Sequence, residues 1–144
     1  MRVLLDANIY ISYLLGPEPD SAILEAVESG IRGEYTILLP LALWEELVDV
    51  VTGKPYFQQR ITPQQLRRLK EILEVFAEVL PEMEEAIPRV VRDPKDDYLL
   101  AHALLDAADY LVTGDADLLA LDPVGALRIV SPRDFVRALR EASR

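Results

Sequence analysis

The sequence predicts an α/β fold of three layers, α/β/α, in which helices cover both faces of a mostly parallel central sheet. Short apolar runs typical of buried strands recur along the chain, and amphipathic stretches typical of helices separate them. Helical crossovers between such runs are right-handed and favour parallel pairing. With 144 residues, 51% of them hydrophobic, the chain has the size of one domain, and we expect residues 1–144 to form it.

The first predicted unit is a strand from Arg2 to Leu5, which ends at Asp6 and is followed by a helical segment up to Leu15. A second helix is predicted next. Asp20 is its expected N-cap, and Gly30 is its expected C-terminal stop.

The second predicted strand is Tyr35 to Leu39, after which Pro40 opens a helix that runs to about Val51. Apolar residues fill one half of the helical wheel, and Glu45 and Glu46 border it on opposite rims. Periodicity alone therefore does not say which glutamate faces a site.

A third helix is predicted to start at the capping box Thr62-Pro63-Gln64-Gln65 and to stop at Pro81. Its expected apolar stripe is Leu66, Leu69, Leu73, Phe76 and Leu80. The most basic part of the chain lies around its start, with Arg60, Arg67, Arg68 and Lys70. The simpler interpretation is a solvated helix face, and the alternative is a phosphate-binding patch or a partner-docking site.

A short strand is expected at Ile87 to Val91, and Asp93 is the expected N-cap of the helix that follows it. Asp96 lines up with the apolar face of this helix, whereas Asp97 is shifted from it. An acid in register with the core is costly to bury without a partner. On the same helix, His102 is expected to pair with Asp106 in a structural role.

The stretch Tyr110 to Leu119, YLVTGDADLL, repeats the pattern of a buried strand that ends in an acid where a helix should begin. A last strand is expected at Ala126 to Val130, and Ser131 caps a closing helix that reaches about Ala142.

Two strand-end acids, Asp6 and Asp115, should lie together, because the carboxyl ends of parallel strands share one edge of a sheet. Taken singly, such acids are explained by helix capping. Helix capping alone does not easily explain why Glu46 and Asp96 occur in the chain together with them.

Clustered carboxylates repel one another unless cations neutralise them, which implies divalent metal ions. The chain has no cysteine and one histidine, so the ligands must be mainly oxygen, which favours Mg²⁺ or Mn²⁺. The natural chemistry of such a site is phosphodiester hydrolysis. The net charge of −10 argues against a broad nucleic-acid surface, but bound cations would bridge an acidic pocket to an anionic substrate.

The order of these motifs resembles the PIN-domain family, whose best-known members are VapC-like toxin ribonucleases. The resemblance runs through LLDANIYIS, LWEELVDVV, DPKDDYLLAHAL and ADYLVTGDADLL to IVSPRDF. It implies the catalytic and metal-binding set Asp6, Glu46, Asp96 and Asp115, with Asp117 as an auxiliary ligand and Asp97 as a rival for the third position. It also suggests Asn8 and Thr113 as hydrogen-bonding residues around the acids, with a helix N-cap as the other interpretation of Asn8.

The resemblance further implies a metal-dependent endoribonuclease that uses one or two Mg²⁺ or Mn²⁺ ions and leaves a 5′-phosphate. Such proteins are typically the toxin of a type II toxin-antitoxin pair, a homodimer that an antitoxin protein blocks. The alternatives are a catalytically silent PIN-fold binding module and a receiver-like Mg²⁺-binding signalling domain. We expect no signal peptide and no membrane span, and therefore a cytoplasmic protein that acts on RNA.

Overall fold

The structure of the protein is a computed structural model that describes residues 1–82 and 94–143, with the side chains of residues 94–97 outside the description. The strand expected at Ile87 to Val91 and the cap expected at Asp93 therefore lie outside the described residues.

Strands and helices alternate along the described residues. The strands are β1 Arg2–Leu5, β2 Thr36–Pro40, β3 Ala77–Leu80, β4 Tyr110–Val112 and β5 Arg128–Val130. The helices are α1 Ala7–Leu14, α2 Ala22–Ile31, α3 Leu41–Gly53, α4 Pro55–Gln58, α5 Pro63–Phe76, α6 Pro94–Leu105, α7 Ala116–Leu119 and α8 Pro132–Ala142.

The described strands form one sheet in the order β3-β2-β1-β4-β5, and every neighbouring pair is parallel. In the central strand, Val3, Leu4 and Leu5 are all 0% exposed. Successive residues of a strand point to opposite faces, so both faces of the sheet are covered. The predicted three-layer α/β/α fold with a parallel sheet is confirmed.

The strand order creates a switch point beside β1. The chain runs from β1 to β2 and β3 on one side and then returns to place β4 on the other side of β1. The backbone N–H of Asp6 donates to the carbonyl oxygen of Val112 at 2.9 Å, which ties the ends of these two strands together. In open α/β sheets, ligands bind at the carboxyl ends of the strands next to such a point.

An aromatic contact packs the last helix against the sheet. The ring of Phe135 in α8 meets the rings of Tyr35 and Tyr110 edge to face, at centroid distances of 5.2 and 5.6 Å. The Tyr35 hydroxyl donates to the carbonyl oxygen of Ala26 in α2 at 2.6 Å. These contacts join α2, α8, β4 and the residue before β2 into one core.

The structure corrects the end of the helix that starts at Thr62. The capping box is confirmed, because Thr62 accepts from the Gln65 backbone and the Gln65 side chain accepts from the Thr62 backbone. The helix, however, ends at Phe76, which is 50% exposed, and Leu80 is buried on strand β3. The prediction of a helix up to Pro81 was wrong, because a short apolar run is compatible with the residue spacing of a helix and with that of a strand. In the fold, Ala77–Leu80 pair with β2 and satisfy the hydrogen-bonding groups along its backbone.

The two ends of α2 also differ from the prediction. Its N-cap is Ser21, whose hydroxyl accepts from the Leu24 N–H, and not Asp20. The helix continues through Gly30 to Ile31. Gly30 is required for close packing instead, because a Cβ added there would lie 2.6 to 2.7 Å from side-chain atoms of Ile37 and Tyr35.

Across residues 1–82 and 94–143, no helix combines the length and the apolar character that crossing a membrane requires.

Candidate active site

Asp6 is a buried carboxylate at the carboxyl end of the central strand. It follows β1 directly, holds the N-cap position of α1, and is 8% exposed. Its Oδ2 accepts a hydrogen bond from the hydroxyl of Thr113 at 2.7 Å. The carboxylate is therefore fixed by a contact from the neighbouring strand.

Thr113 links the two strand-end acids. It follows β4 directly and is fully buried. Its hydroxyl donates to Asp6 and accepts from the backbone N–H of Asp115 at 3.0 Å. A single side chain thus uses its donor and its acceptor to hold both acidic segments at the switch point.

Asp115 caps the short helix α7. Its Oδ1 accepts from the backbone N–H of Asp117 at 2.8 Å and from that of Leu118 at 3.4 Å. The capping explanation of this acid therefore holds, and it holds alongside the link through Thr113. Asp117 is exposed in the first turn of α7.

We call the space between the ends of β1 and β4, where Asp6 and Asp115 lie, the crevice. Its surroundings disfavour a negative charge on Asp6. Burial raises the pKa of the Asp6 carboxyl above its ordinary value, and the charge of Asp115 adds to this rise. The Thr113 hydroxyl and the backbone N–H groups of Ala7 and Asn8 lower the same pKa, but the net direction is upward. A cation at this place would relieve the cost of keeping both carboxylates ionised.

Glu46 is the glutamate of α3 that the fold partly buries, whereas Glu45 is exposed. The helix begins where β2 ends and packs against α1, which starts at Asp6. Glu46 lines a groove of about 450 Å³ together with Glu45, Asp49 and Lys54. Lys54, the first basic residue after the three acids of α3, was not among the candidate residues that the sequence predicted.

The third acid is placed only by its backbone. Asp96 and Asp97 lie in the first turn of α6, and their side chains are outside the description. The next residue, Tyr98, has its pKa raised by burial first and then by the carboxylates of Glu82 and Glu45. The start of α6 therefore lies near α3. Which of the two aspartates faces the crevice stays a prediction.

Asn8 lies in the first turn of α1, where its side chain is exposed. The N-cap position belongs to Asp6, so the interpretation of Asn8 as the cap was wrong. Its side chain makes no hydrogen bond with a residue that the structure describes, and its backbone N–H faces the Asp6 carboxylate.

His102 has the structural surroundings that the sequence predicted. It is 1% exposed, and its Nδ1 lies 3.2 Å from Oδ2 of Asp106. Its ring stands edge-on to Tyr98 at a centroid distance of 4.5 Å. The predicted pairing with Asp106 is confirmed.

The donors present suit a hard divalent cation in kind, since the side chains at the crevice end in carboxylate and hydroxyl oxygens. Within the described part of the chain, no three His, Cys, Asp or Glu side chains are grouped closely enough to hold a metal ion. The side chains of Asp96 and Asp97 lie outside the described part. Among the described acids, the charge of Asp115 acts on Asp6, and whether they belong to a metal-binding set stays a prediction.

A sequence model of the PIN domain matches residues 2–117. The chain belongs to the PIN-domain family. The matched region begins in β1 and ends at Asp117, so it contains the Asp6, Thr113 and Asp115 linkage. PIN domains are generally nucleases. No curated protein matches the sequence.

The fold is similar to that of a chain in the crystal structure of VapBC2 from Rickettsia felis bound to a DNA fragment from their promoter. The match has a TM-score of 0.59 at 17% sequence identity and covers 91% of this chain and 98% of that chain. At this identity the similarity establishes a shared VapC-like fold over nearly the whole of both chains.

Proposed function

We propose that this PIN domain is a metal-dependent endoribonuclease and the toxin of a type II toxin-antitoxin pair. The observation that carries the proposal is the Thr113 bridge between Asp6 and Asp115 at the switch point of the sheet. This arrangement places two carboxylates together, and the raised pKa of Asp6 marks a place where a cation is favoured.

In this proposal Asp6, Glu46, Asp96 and Asp115 hold one or two Mg²⁺ or Mn²⁺ ions, with Asp117 as an auxiliary ligand. When bound, such an ion activates water, orients the scissile phosphate and stabilises the leaving oxygen. The chain's own contribution is positioning. Thr113 fixes the orientation of Asp6, and the N–H groups of Asp117 and Leu118 fix that of Asp115.

The proposed partners are an antitoxin protein and a second copy of the chain. The VapC-like fold supports the first, because the similar structure was solved as VapBC2 bound to a DNA fragment from their promoter. An antitoxin would block cleavage by covering the crevice.

The test is cleavage of end-labelled RNA by the purified protein with Mn²⁺ or Mg²⁺, with EDTA as one control. The double variant Asp6→Asn, Asp115→Asn should lose at least about 100-fold in rate, because two metal-binding carboxylates are removed. The matched control is Asp20→Asn, Asp122→Asn, which makes the same charge change at two exposed positions and should cleave as the wild type does.

Cleavage that persists in EDTA, or that both double variants retain equally, would contradict the proposal. Failure of the wild type to cut any of a broad panel of RNAs would favour the catalytically silent PIN fold. Mapping the product ends tests the expected 5′-phosphate.

A further inference from the structure

The region from Val50 to Lys70 differs in charge from the rest of the molecule. It contains five lysine or arginine residues and no aspartate or glutamate, in a chain whose net charge is −10. These residues, which we call the cationic segment, are Lys54, Arg60, Arg67, Arg68 and Lys70. All five side chains are exposed.

The cationic segment is also poorly neutralised. Of the positive side chains that the structure describes elsewhere, Arg2, Arg32 and Arg137 each lie within 4.0 Å of a described carboxylate oxygen, and Arg128, Arg133 and Arg140 do not. In the cationic segment, Lys70 approaches Glu74 at 4.0 Å, and the other four make no ion pair with a residue that the structure describes. Glu71 and Glu74 follow on the same helix, but four of the five positive groups have no described carboxylate within 4.0 Å, which suits the segment to an anionic partner.

Aromatic rings stand beside the cationic groups. The Arg60 guanidinium lies 3.7 Å from the centroid of the Tyr56 ring, and Tyr56 is 55% exposed. Trp44 lines a groove of about 470 Å³ between α3 and α5, with Arg67 and Lys70 among the other residues of its wall. Positive charge next to accessible aromatic rings is the usual composition of a surface that binds single-stranded nucleic acid.

The cationic segment begins in the groove that Glu46 lines. Lys54 follows α3 directly and lines the same groove as Glu46. Arg68 lies on another side of α5, in a groove of about 300 Å³ that Tyr13 also lines. The positive groups therefore form a band across several grooves, which matches an extended polyanion better than a short acidic peptide confined to one of them.

We propose that the cationic segment is a surface that binds the RNA backbone and leads the strand toward the crevice, with Lys54 beside the acids of α3. This inference rests on the proposed function for the identity of the polyanion. It gives an acidic protein a place where RNA phosphates are attracted before they reach the carboxylates.

The test is binding of a fluorescently labelled single-stranded RNA of about 20 nucleotides, longer than a typical single-strand site. Fluorescence anisotropy is measured on the full chain in EDTA, so that binding is read without cleavage. The triple variant Arg67→Gln, Arg68→Gln, Lys70→Gln should raise Kd about tenfold. It should also reduce the slope of log K against log salt by about 2, or about 0.7 for each phosphate that the variant no longer neutralises.

The matched control is Arg133→Gln, Arg137→Gln, Arg140→Gln on α8, which removes the same charge from a helix that also carries Asp134 and Glu141. Its Kd should stay within about twofold of the wild-type value. Thermal unfolding of both triple variants checks that each is folded.

Equal binding by the wild type and the cationic-segment variant, or equal reductions of affinity in the two triple variants, would overturn the proposal. Poly-glutamate is tested as a competitor. If it displaces RNA at a concentration similar to that of unlabelled RNA, and binds the cationic-segment variant as weakly as RNA does, the proposal of RNA is overturned in favour of an acidic protein partner. RNA binding that needs the segment but is never followed by cleavage removes the nuclease proposal and leaves this surface standing. If the cationic-segment variant cleaves RNA at the wild-type rate, this surface is overturned and the nuclease proposal is left standing.

Discussion

The crevice at the switch point and the cationic segment differ in burial, in the sign of their charge and in how their side chains are held. In the crevice, Asp6 and Thr113 are buried and hydrogen-bonded to each other. In the cationic segment, Arg67 and Arg68 are exposed, and neither pairs with a described carboxylate. The acids of the crevice are thus held at the ends of sheet strands, whereas the positive groups lie on α5 and in the segment before it and stay solvated.

Removing the Thr113 hydroxyl should have the largest effect among single changes that leave every acid in place. Thr113→Val takes away the donor to Asp6 and the acceptor for the Asp115 N–H. Loss of a buried hydrogen bond to a charged group costs about 1.5–3 kcal/mol. We expect the free energy of unfolding, from urea denaturation, to fall by about that amount and RNA cleavage to fall about tenfold.

Thr113→Ser keeps the hydroxyl and should recover most of the cleavage rate, which separates the hydrogen bonds from the bulk of the side chain. RNA binding in EDTA should be unchanged in both variants. If Thr113→Val cleaves at the wild-type rate, the bridge does not position the acids, and the contrast between the two regions disappears.

Gly30→Ala should destabilise the fold and leave both the crevice and the cationic segment functionally unchanged. The added Cβ would meet Ile37 and Tyr35 side-chain atoms at 2.6 to 2.7 Å, and overpacking of this kind costs about 1–3 kcal/mol. Urea denaturation should show this decrease in stability. Cleavage per folded molecule and RNA affinity should both stay at the wild-type level, because Gly30 lies outside both regions.

Gly53→Ala is the matched glycine control, since nothing lies within 4 Å of a Cβ added there. Stability decreases of equal size in the two variants would show that the close packing at Gly30 is not the cause.

The smallest expected effect is a dependence of stability on pH that comes from Asp6. Its native pKa is raised, so ionised Asp6 lowers the free energy of unfolding. The stabilising contribution of the protonated form is complete below the ordinary value of 3.8 and is lost as pH rises through the native pKa. In EDTA, Asp6→Asn should therefore be more stable than the wild type at neutral pH, and the difference should shrink toward about pH 4.

Thermal unfolding across this pH range measures the effect, with Asp20→Asn as the exposed control that should show no such trend. Added Mn²⁺ should raise the melting temperature of the wild type more than that of Asp6→Asn, because a ligand that binds the native state stabilises it. A variant that is less stable than the wild type at neutral pH would contradict the argument.

Much of the fold was readable from local patterns. Strand β1 was predicted with its observed bounds, and the capping box at Thr62 was recognised from its spacing. The failures have specific causes. Ala77–Leu80 was assigned to a helix because its pairing partner, β2, is distant in sequence. Gly30 was assigned to a helix end because close packing against Ile37 leaves no local signal.

The sequence predicted that Asp6 and Asp115 lie together at the candidate site, but it did not predict the hydrogen bonds that hold them. Asp6 and Asp115 were singled out because each follows an apolar strand, and the adjacency of β1 and β4 places them together. Nothing in the residue spacing predicts that one threonine hydroxyl both donates to Asp6 and accepts from the Asp115 backbone. The choice between Glu45 and Glu46 as the partly buried residue also required the packing of α3.

The sequence by itself determined the fold class, the parallel pairing and the position of Asp6 and Asp115 at strand ends, because periodicity and strand-end chemistry are local properties of the chain. The tertiary structure alone decided the strand order, the Thr113 bridge and the distribution of the cationic segment over several grooves. The physical reason is that these features depend on contacts between residues far apart in sequence. Asp6 and Thr113, which are 107 positions apart, meet only when the sheet has formed.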